Sequence, residues 1–393
     1  MKKVVVVSAV RTSGGSFGGS FKSITAVDLG SNVIKESISR ANILGTEVGQ
    51  VIFANGWQSG VGPNPARLCS VVAGLPVTVP AFTVNMRCGS SLRAIQLGVL
   101  SIAAGEEEVI VAGGTESSSN VPYLLTGARW GYRMGDNSVK DGLHKDGFMC
   151  PLAKGLMGES TELLVEKYNI TREEQDKYAF ESQQKAIRAE EEGLFKDEIV
   201  PIEIQEKKAT RVIDHEEIPR KDTSIEKLAN LKPVFKKDGT ITAGNSCALC
   251  DASASVVLMS EEKANQMGIK PLALIHSYSY IALEPKYFGL GPVSAINKAL
   301  SNAKMDINDM DLIEINEAFA AQVLACEREL KFKREKLNIN GGAIALGHPV
   351  GATGAKILTT LIYALKNYNK TLGIVSLCIG GGQGVAMVIE RLN

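Results

Sequence analysis

Four short stretches carry residue types that could do chemistry together. In "TVNMRCGSSLRAIQLG" (83–98), Cys88 falls between an extended-looking segment and one of helical period. A helix N-terminus offers unpaired N–H groups and about half a positive charge, which lowers a thiol's pKa and raises its thiolate fraction. The small residues that follow, Gly89, Ser90 and Ser91, suit capping and close approach of a substrate. Read alone, Cys88 is more simply a core residue, because cysteine is among the most buried types. In "NINGGAIALGHPVGATGAK" (338–356), His348 lies among five glycines. Glycine permits positive φ and close backbone approach, and imidazole suits proton transfer near neutral pH. The run fits neither GxxxxGK[ST], since Lys356 follows Ala355, nor GxGxxG, which disfavours a nucleotide-phosphate loop. In "SLCIGGGQGVAMVIE" (376–390), Cys378 ends a strand-like run before three glycines, the first Gly380. Such a backbone can turn its N–H groups toward an oxyanion, or it is a hairpin turn beside a buried thiol. In "NEAFAAQ" (316–322), Asn316 and Glu317 follow strand-like "LIEI". Asparagine there can hold a water or a carbonyl, or merely cap a helix.

These residues need elements to hold them. Apolar β-branched runs, "KKVVVVSAV", "EEVIVAGGTES", "MDLIEINEAFA" and "TLGIVSLCIGGG", read as strands covered on both faces. Between them "AVDLGSNVIKESISRAN", "SLRAIQLGVLSIAAGE", "VSAINKALSNAKM" and "AKILTTLIYALKNYN" have apolar residues at three- and four-residue spacing and read as helices. The alternation predicts an α/β fold with a parallel or mixed sheet. One plan recurs. Cys88 opens a helix that leads to the strand and glycines of "VIVAGGTES", and His348 precedes a helix that leads to "GIVSLCIGGG". Two copies of one βαβ-type half related by a pseudo-twofold axis would bring the two helix N-termini together. From about Asn120 to Asn245 charge-rich helices such as "TREEQDKYAFESQQKAIRAEEEG" indicate an inserted, more solvated subdomain.

Composition bounds the class. With 43 basic and 43 acidic residues the formal charge is +0, which gives no long-range attraction to nucleic acid or an anionic membrane. The seven cysteines (69, 88, 150, 247, 250, 326, 378) are odd in number and scattered, unlike a secreted disulfide scaffold, so a reducing cytoplasm fits. "MKKVVVVSAVRT" reads as a buried first strand rather than a signal peptide, and no apolar run reaches the roughly 18 residues that span a bilayer. The four histidines form no HExxH, and Cys247-x-x-Cys250 has no second pair, so no metal is expected.

Taken together the four stretches resemble the thiolase family, as do "VVVVSAVRTSGGSFGGSFK", "RWGYRMGD" (129–136), "TAGNSCALCDASASVVLMS" (242–260) and "GLGPVSA" (289–295). The resemblance covers nearly the whole chain. It implies two pseudo-symmetric mixed-sheet α/β halves in layers, one of residues 1–119 plus 246–268 and one of 269–393, with an inserted loop subdomain (120–245) that binds coenzyme A. It also implies a mechanism. His348 takes the proton of Cys88, whose thiolate becomes acylated by a thioester, and Cys378 acts as base or acid at the α-carbon of an acyl-CoA. One oxyanion hole comes from His348 with a water held by Asn316, the other from the amides of Cys88 and Gly380. Arg220, in "HEEIPRKDT", falls where the family has a CoA-contacting arginine, and Met157, Cys247, Phe288 and Phe319 fall among its substrate contacts. The chain departs from the family at Cys247 (usually serine), Phe288 (methionine) and Leu156 (often histidine). The expected activity is reversible condensation of acetyl-CoA to acetoacetyl-CoA by a homodimer or homotetramer, with coenzyme A thioesters as substrates and no cofactor. The alternatives are a longer-chain 3-ketoacyl-CoA thiolase of fatty-acid degradation and a non-catalytic thiolase-like subunit. A condensing enzyme using acyl-carrier protein would pair one cysteine with histidines, or with histidine and asparagine, in place of two thiols.

Overall fold

The computed structural model describes residues 2–205 and 209–392. Its first half runs β1 (Val4–Arg11), β2 (Gly15–Ser16), α1 (Ala26–Arg40), β3 (Gln50–Ala54), α2 (Pro65–Val72), β4 (Ala81–Val84), α3 (Ser90–Ala104) and β5 (Val109–Ser117). Local chemistry sets the boundaries. Thr25 caps α1 by accepting from the Asp28 N–H at 3.1 Å while Asp28 accepts from the Thr25 N–H at 3.3 Å. Leu29, Val33, Ile34 and Ile38 make the buried face of that helix. Every residue of β1 and of β5 is buried, their apolar runs Val4–Val7 and Val109–Ala112 and the polar residues that follow alike.

The middle segment holds four two-residue strands, β6 (Tyr123–Leu124), β7 (Lys140–Asp141), β8 (Met149–Cys150) and β9 (Gly155–Leu156). It continues with α4 (Met157–Tyr168), α5 (Arg172–Glu191), β10 (Ile202–Gln205), β11 (Thr210–Ile213) and α6 (Ile225–Ala229). The remainder comprises β12 (Cys250–Ser260), α7 (Glu261–Gln266), β13 (Ala273–Ala282), α8 (Gly291–Ala303), β14 (Leu312–Ile315), α9 (Ala320–Leu330), α10 (Ala343–Leu346), α11 (Thr353–Asn367), β15 (Leu372–Ile379) and β16 (Gln383–Arg391).

The repeated plan is present in the pairing. β1–β12–β5–β3–β4 runs antiparallel, antiparallel, parallel, parallel. β13–β16–β15–β14 repeats the first three steps, and a parallel bridge between Ile313 and Leu337 stands where the fourth would be. The halves join where β1 meets β13 at Val5↔Leu274 and Val6↔Ala273. Helices α3 and α11 pack together between strands of both halves, in a shared core containing Leu92, Ile95, Val256, Leu358, Leu361 and Val375. Helices α1 and α8 cover the outer faces, so the molecule is layered α–β–α–β–α.

Strand β12 is the element that periodicity alone passed over. "CDASASVVLMS" does not alternate and has an apolar run of only Val256–Met259, yet all eleven residues are buried. Small side chains suit a central strand on which helices close from both faces, and its hydroxyls find partners: Ser253 Oγ donates to Gly114 O at 2.9 Å and Ser255 Oγ lies 2.9 Å from Ser37 Oγ. Of "MDLIEINEAFA" only Leu312–Ile315 is strand, and helix α9 begins at Ala320.

Candidate active site

Strand β4 delivers the chain into a tight turn at Arg87–Gly89 that leads into α3. Arg87 has φ +50°, a left-handed conformation uncommon outside glycine and held here by its surroundings. Ser90 Oγ donates to Arg87 O at 2.5 Å and accepts from Met86 N at 2.7 Å, and Arg87 N donates to Asn85 Oδ1 at 3.1 Å. The serine therefore locks the turn instead of capping the helix. A Cβ on Gly89 would sit 2.4 Å from Ile379 Cδ1, so only glycine lets this turn approach the end of β15. Cys378, on that strand, interacts electrostatically with Cys88 and Cys247. All three thiols are pushed up by burial. This reverses the expectation of a lowered Cys88: the residue is half-buried, but desolvation outweighs the Arg87 cation and the backbone N–H groups, that of Gly380 among them, that favour its thiolate.

His348 enters from the other half. Its N–H donates to Ala248 O at 2.8 Å, one residue from Cys247, and its Nδ1 lies 2.7 Å from Thr353 Oγ1. That hydroxyl gives its hydrogen to Pro349 O at 2.8 Å, so it accepts from Nδ1–H and leaves the lone pair on Nε2. Nε2 is buried with no protein partner among the described residues. Burial, then the Arg87 and Lys356 cations, push the imidazole down to about 3, which keeps it neutral, with its free lone pair at Nε2. Asn316, just past β14, donates its N–H to Ser376 O at 3.0 Å, and both polar atoms of its buried side-chain amide lack a protein partner among the described residues. The neighbouring Glu317 is anchored by Tyr178 Oη (2.9 Å), Ser182 Oγ (2.8 Å), Asn338 Nδ2 (3.0 Å) and Ile344 N (3.1 Å), which fixes the segment that carries the asparagine.

Residues named from the resemblance fall around these groups with one exception. Gly380 opens the β15–β16 turn, and a Cβ there would lie 3.0 Å from Met157 Sδ. Phe288, Phe319 and Cys378 share one apolar cluster, with Met157 packed against it. Phe319 also meets Phe235 edge-on at 5.9 Å. Cys247 N donates to Ala318 O at 3.0 Å. Arg220 stands apart on an exposed turn, where its N–H donates to Gln183 Oε1 at 2.8 Å.

Sequence reasoning passed over two charged residues. Glu116, near the end of β5, is fully buried and accepts from Asn55 Nδ2 (2.9 Å), Gly56 N (2.9 Å), Trp57 N (3.2 Å) and Gly351 N (2.7 Å), tying the loop after His348 to the other half. Burial pushes its carboxyl up to about 7 against those donors and Arg87. The signal was a carboxylate closing an apolar strand in "VIVAGGTES". Arg87 is the second; its guanidinium lies 4.9 Å from the Trp57 ring.

Fold and site together define the class: a pseudo-symmetric, layered α/β enzyme whose thiols and histidine meet where two helix N-termini converge. Models described as "Thiolase, N-terminal domain" and "Thiolase, C-terminal domain" match residues 4–262 and 269–391. The chain belongs to the thiolase family and is an acyltransferase. It is 50% identical over 394 residues to the acetyl-CoA acetyltransferase of Escherichia coli (strain K12), covering 100% of both chains. The crystal structure of the Bacillus anthracis acetyl-CoA acetyltransferase matches with a TM-score of 0.98 at 46% identity, covering 100% of this chain and 99% of that one. The acetyl-CoA acetyltransferase from Syntrophomonas wolfei matches with a TM-score of 0.98 at 40% identity, covering 100% of both.

Proposed function

We propose that this acyltransferase condenses two molecules of acetyl-CoA to acetoacetyl-CoA and coenzyme A, reversibly, through an acetyl group carried on Cys88. The observation that carries the reading is the unpaired, buried Nε2 of neutral His348 in a site that also holds two thiols. In the first half-reaction Nε2 takes the Cys88 proton as the sulfur adds to the thioester carbonyl, and coenzyme A leaves as the thiol with that proton. A second acetyl-CoA then enters. Cys378, as its thiolate, removes the α-proton, the resulting carbanion attacks the acetyl carbonyl on Cys88, and acetoacetyl-CoA forms as the Cys88 sulfur is released and takes up the proton that Cys378 gained. The negative oxygens meet the Cys88 and Gly380 amides on one side, and His348 with a water on Asn316 on the other. Coenzyme A thioesters are the substrates, and no resident cofactor is required.

The segment 120–245 is the coenzyme A subdomain in this reading, with Arg220 free to meet phosphate or the adenine face. The seven free thiols support a reducing cytoplasm. Exposed apolar side chains support a homodimer or homotetramer: Phe82 on the outermost strand β4, and Tyr123, Trp130 and Met134 on the stretch after β5. Phe288, buried in the cluster that holds Cys378 and placed by the resemblance near the acyl end of the pocket, supports short acyl groups, because a stiff ring there would reject added methylenes at a cost of roughly 1–3 kcal/mol.

Brief incubation with acetyl-CoA followed by acid quench should leave an acetyl group on the peptide containing Cys88. In the same preparations kcat/KM should fall as the 3-oxoacyl chain grows from four to eight carbons. A label confined to Cys378, or none, removes the mechanism; preference for the eight-carbon substrate moves the enzyme to the longer-chain activity.

A further inference from the structure

Arg87 directly precedes the nucleophile in the reading above, and its backbone is held left-handed at φ +50°. The side chain is not loose. The guanidinium stacks 4.9 Å from the Trp57 ring, Nη1 donates to Gly56 O at 3.2 Å, and a Cβ on Gly147 would lie only 2.9 Å from Nη2, so that turn closes over it. Trp57 and Cys88 belong to one apolar patch with Leu143, Val350 and Phe148. The cation thus lies against the wall on which the sulfur packs, half-buried and therefore only partly screened.

We propose that Arg87 is a positioning residue for catalysis: held on Trp57 against the wall where the Cys88 sulfur packs, its charge stabilises the thiolate that forms there. The inference rests on Cys88 being the nucleophile. The other titratable groups around the sulfur are Glu116 from β5, Cys378 from β15, Cys247 and, in the reading above, His348, which is neutral; none of them is a cation. The turn over the guanidinium carries His144, Lys145 and Asp146, all exposed to solvent. Among the influences on Cys88, Arg87 is the largest that opposes burial, and it also depresses His348. The resting pair is therefore a thiol beside a neutral base, with the thiol brought part of the way toward ionisation.

The test is the pH dependence of Cys88 alkylation by iodoacetamide, read on the peptide, in the full-length protein. Arg87→Asn removes the cation and still accepts left-handed backbone; Arg87→Lys retains the charge without the stacking. Arg87→Asn should raise the alkylation midpoint by about one pH unit and slow the reaction at neutral pH roughly tenfold, with Arg87→Lys restoring most of the loss. Added salt should raise the wild-type midpoint and leave that of Arg87→Asn alone. An unchanged midpoint in Arg87→Asn overturns the proposal, and so does a wild-type midpoint indifferent to salt if that variant fails to fold. Acetylation by acetyl-CoA is followed in parallel: normal alkylation shifts without any acetyl-enzyme count against the proposed function and not against Arg87.

Discussion

Thr353 has one hydroxyl hydrogen and gives it to Pro349 O at 2.8 Å, so it can only accept from His348 Nδ1 at 2.7 Å. A side chain that touches no substrate thereby chooses which imidazole nitrogen is basic. Thr353→Val leaves Nδ1–H buried without a partner and lets the ring shed its proton from Nδ1 and carry it on Nε2, which cannot accept from Cys88. We expect kcat to fall roughly ten- to a thousandfold, toward the full contribution of a general base, with KM almost unchanged and Thr353→Ser close to wild type. The sign of the pH effect follows from the lowered imidazole. An ordinary histidine gains a proton as pH falls through about 6.5, whereas His348, held down to about 3, stays neutral there. Its ring nitrogens, labelled with 15N, should give the same shifts at pH 5 as at pH 8. A transition near 6.5 would contradict the buried, cation-flanked setting.

At the level of elements, the site depends on how closely α3 and α11 approach, because Cys88 lies in the turn that enters α3 and His348 in the loop that leads into α11. Ser91 Oγ accepts from Ala355 N at 3.0 Å, and a Cβ on Gly354 would come within 2.5 Å of Leu92 N, which is helix backbone and cannot swing aside. Gly354→Ala must part the helices. It should cost about 1–3 kcal/mol from overpacking, and misplacement of the reacting groups by around 1 Å costs on the order of a hundredfold in rate. Gly74→Ala is the comparison: that glycine has φ +90° but nothing within 4 Å, so it should lose about 1 kcal/mol to backbone strain and no activity. Equal activity loss in both variants, followed by urea unfolding and turnover, would mean that global destabilisation and not helix approach sets the rate.

Across the whole molecule, Arg11 ties the middle segment to both halves. From the end of β1, and with no exposed surface, it donates Nε to Glu198 at 2.8 Å and pairs with Glu216. Glu198 also accepts from Thr360 of α11 at 3.1 Å, and Glu216 from Gly14 N at 2.7 Å. Lys356 of α11 is buried beside Glu216 and donates to Leu346 O, two residues before His348. Arg11→Ala would strand two buried carboxylates and should destabilise by roughly 3–5 kcal/mol. The native pairing holds Glu216 below its usual range, so that group's contribution to wild-type stability is lost as pH falls through that range, while burial leaves Glu198 raised even with Arg11 beside it. In the variant both carboxyls are raised by burial, and protonation relieves them. The gap between the two proteins in urea should therefore narrow between pH 7 and pH 5; a gap that widens would refute the uncompensated-charge account.

That the candidate residues sit on two copies of one plan could be read from the chain because the signals for both are local. Apolar spacing marks α3 and α11, and glycines mark the turns at Gly347 and Gly380. What could not be read depends on which distant parts of the chain converge. Glu116 meets Gly351 across 235 positions. The Arg87–Trp57 stack requires β3 and β4 to lie side by side. Strand β12 is central only because β1 and β5 pair with it from either side. The direction of the Cys88 shift was misjudged for the same reason. A helix terminus acts through its own few residues, whereas desolvation is set by everything packed around the sulfur, and only the tertiary structure brings Cys378, Cys247 and Glu116 there.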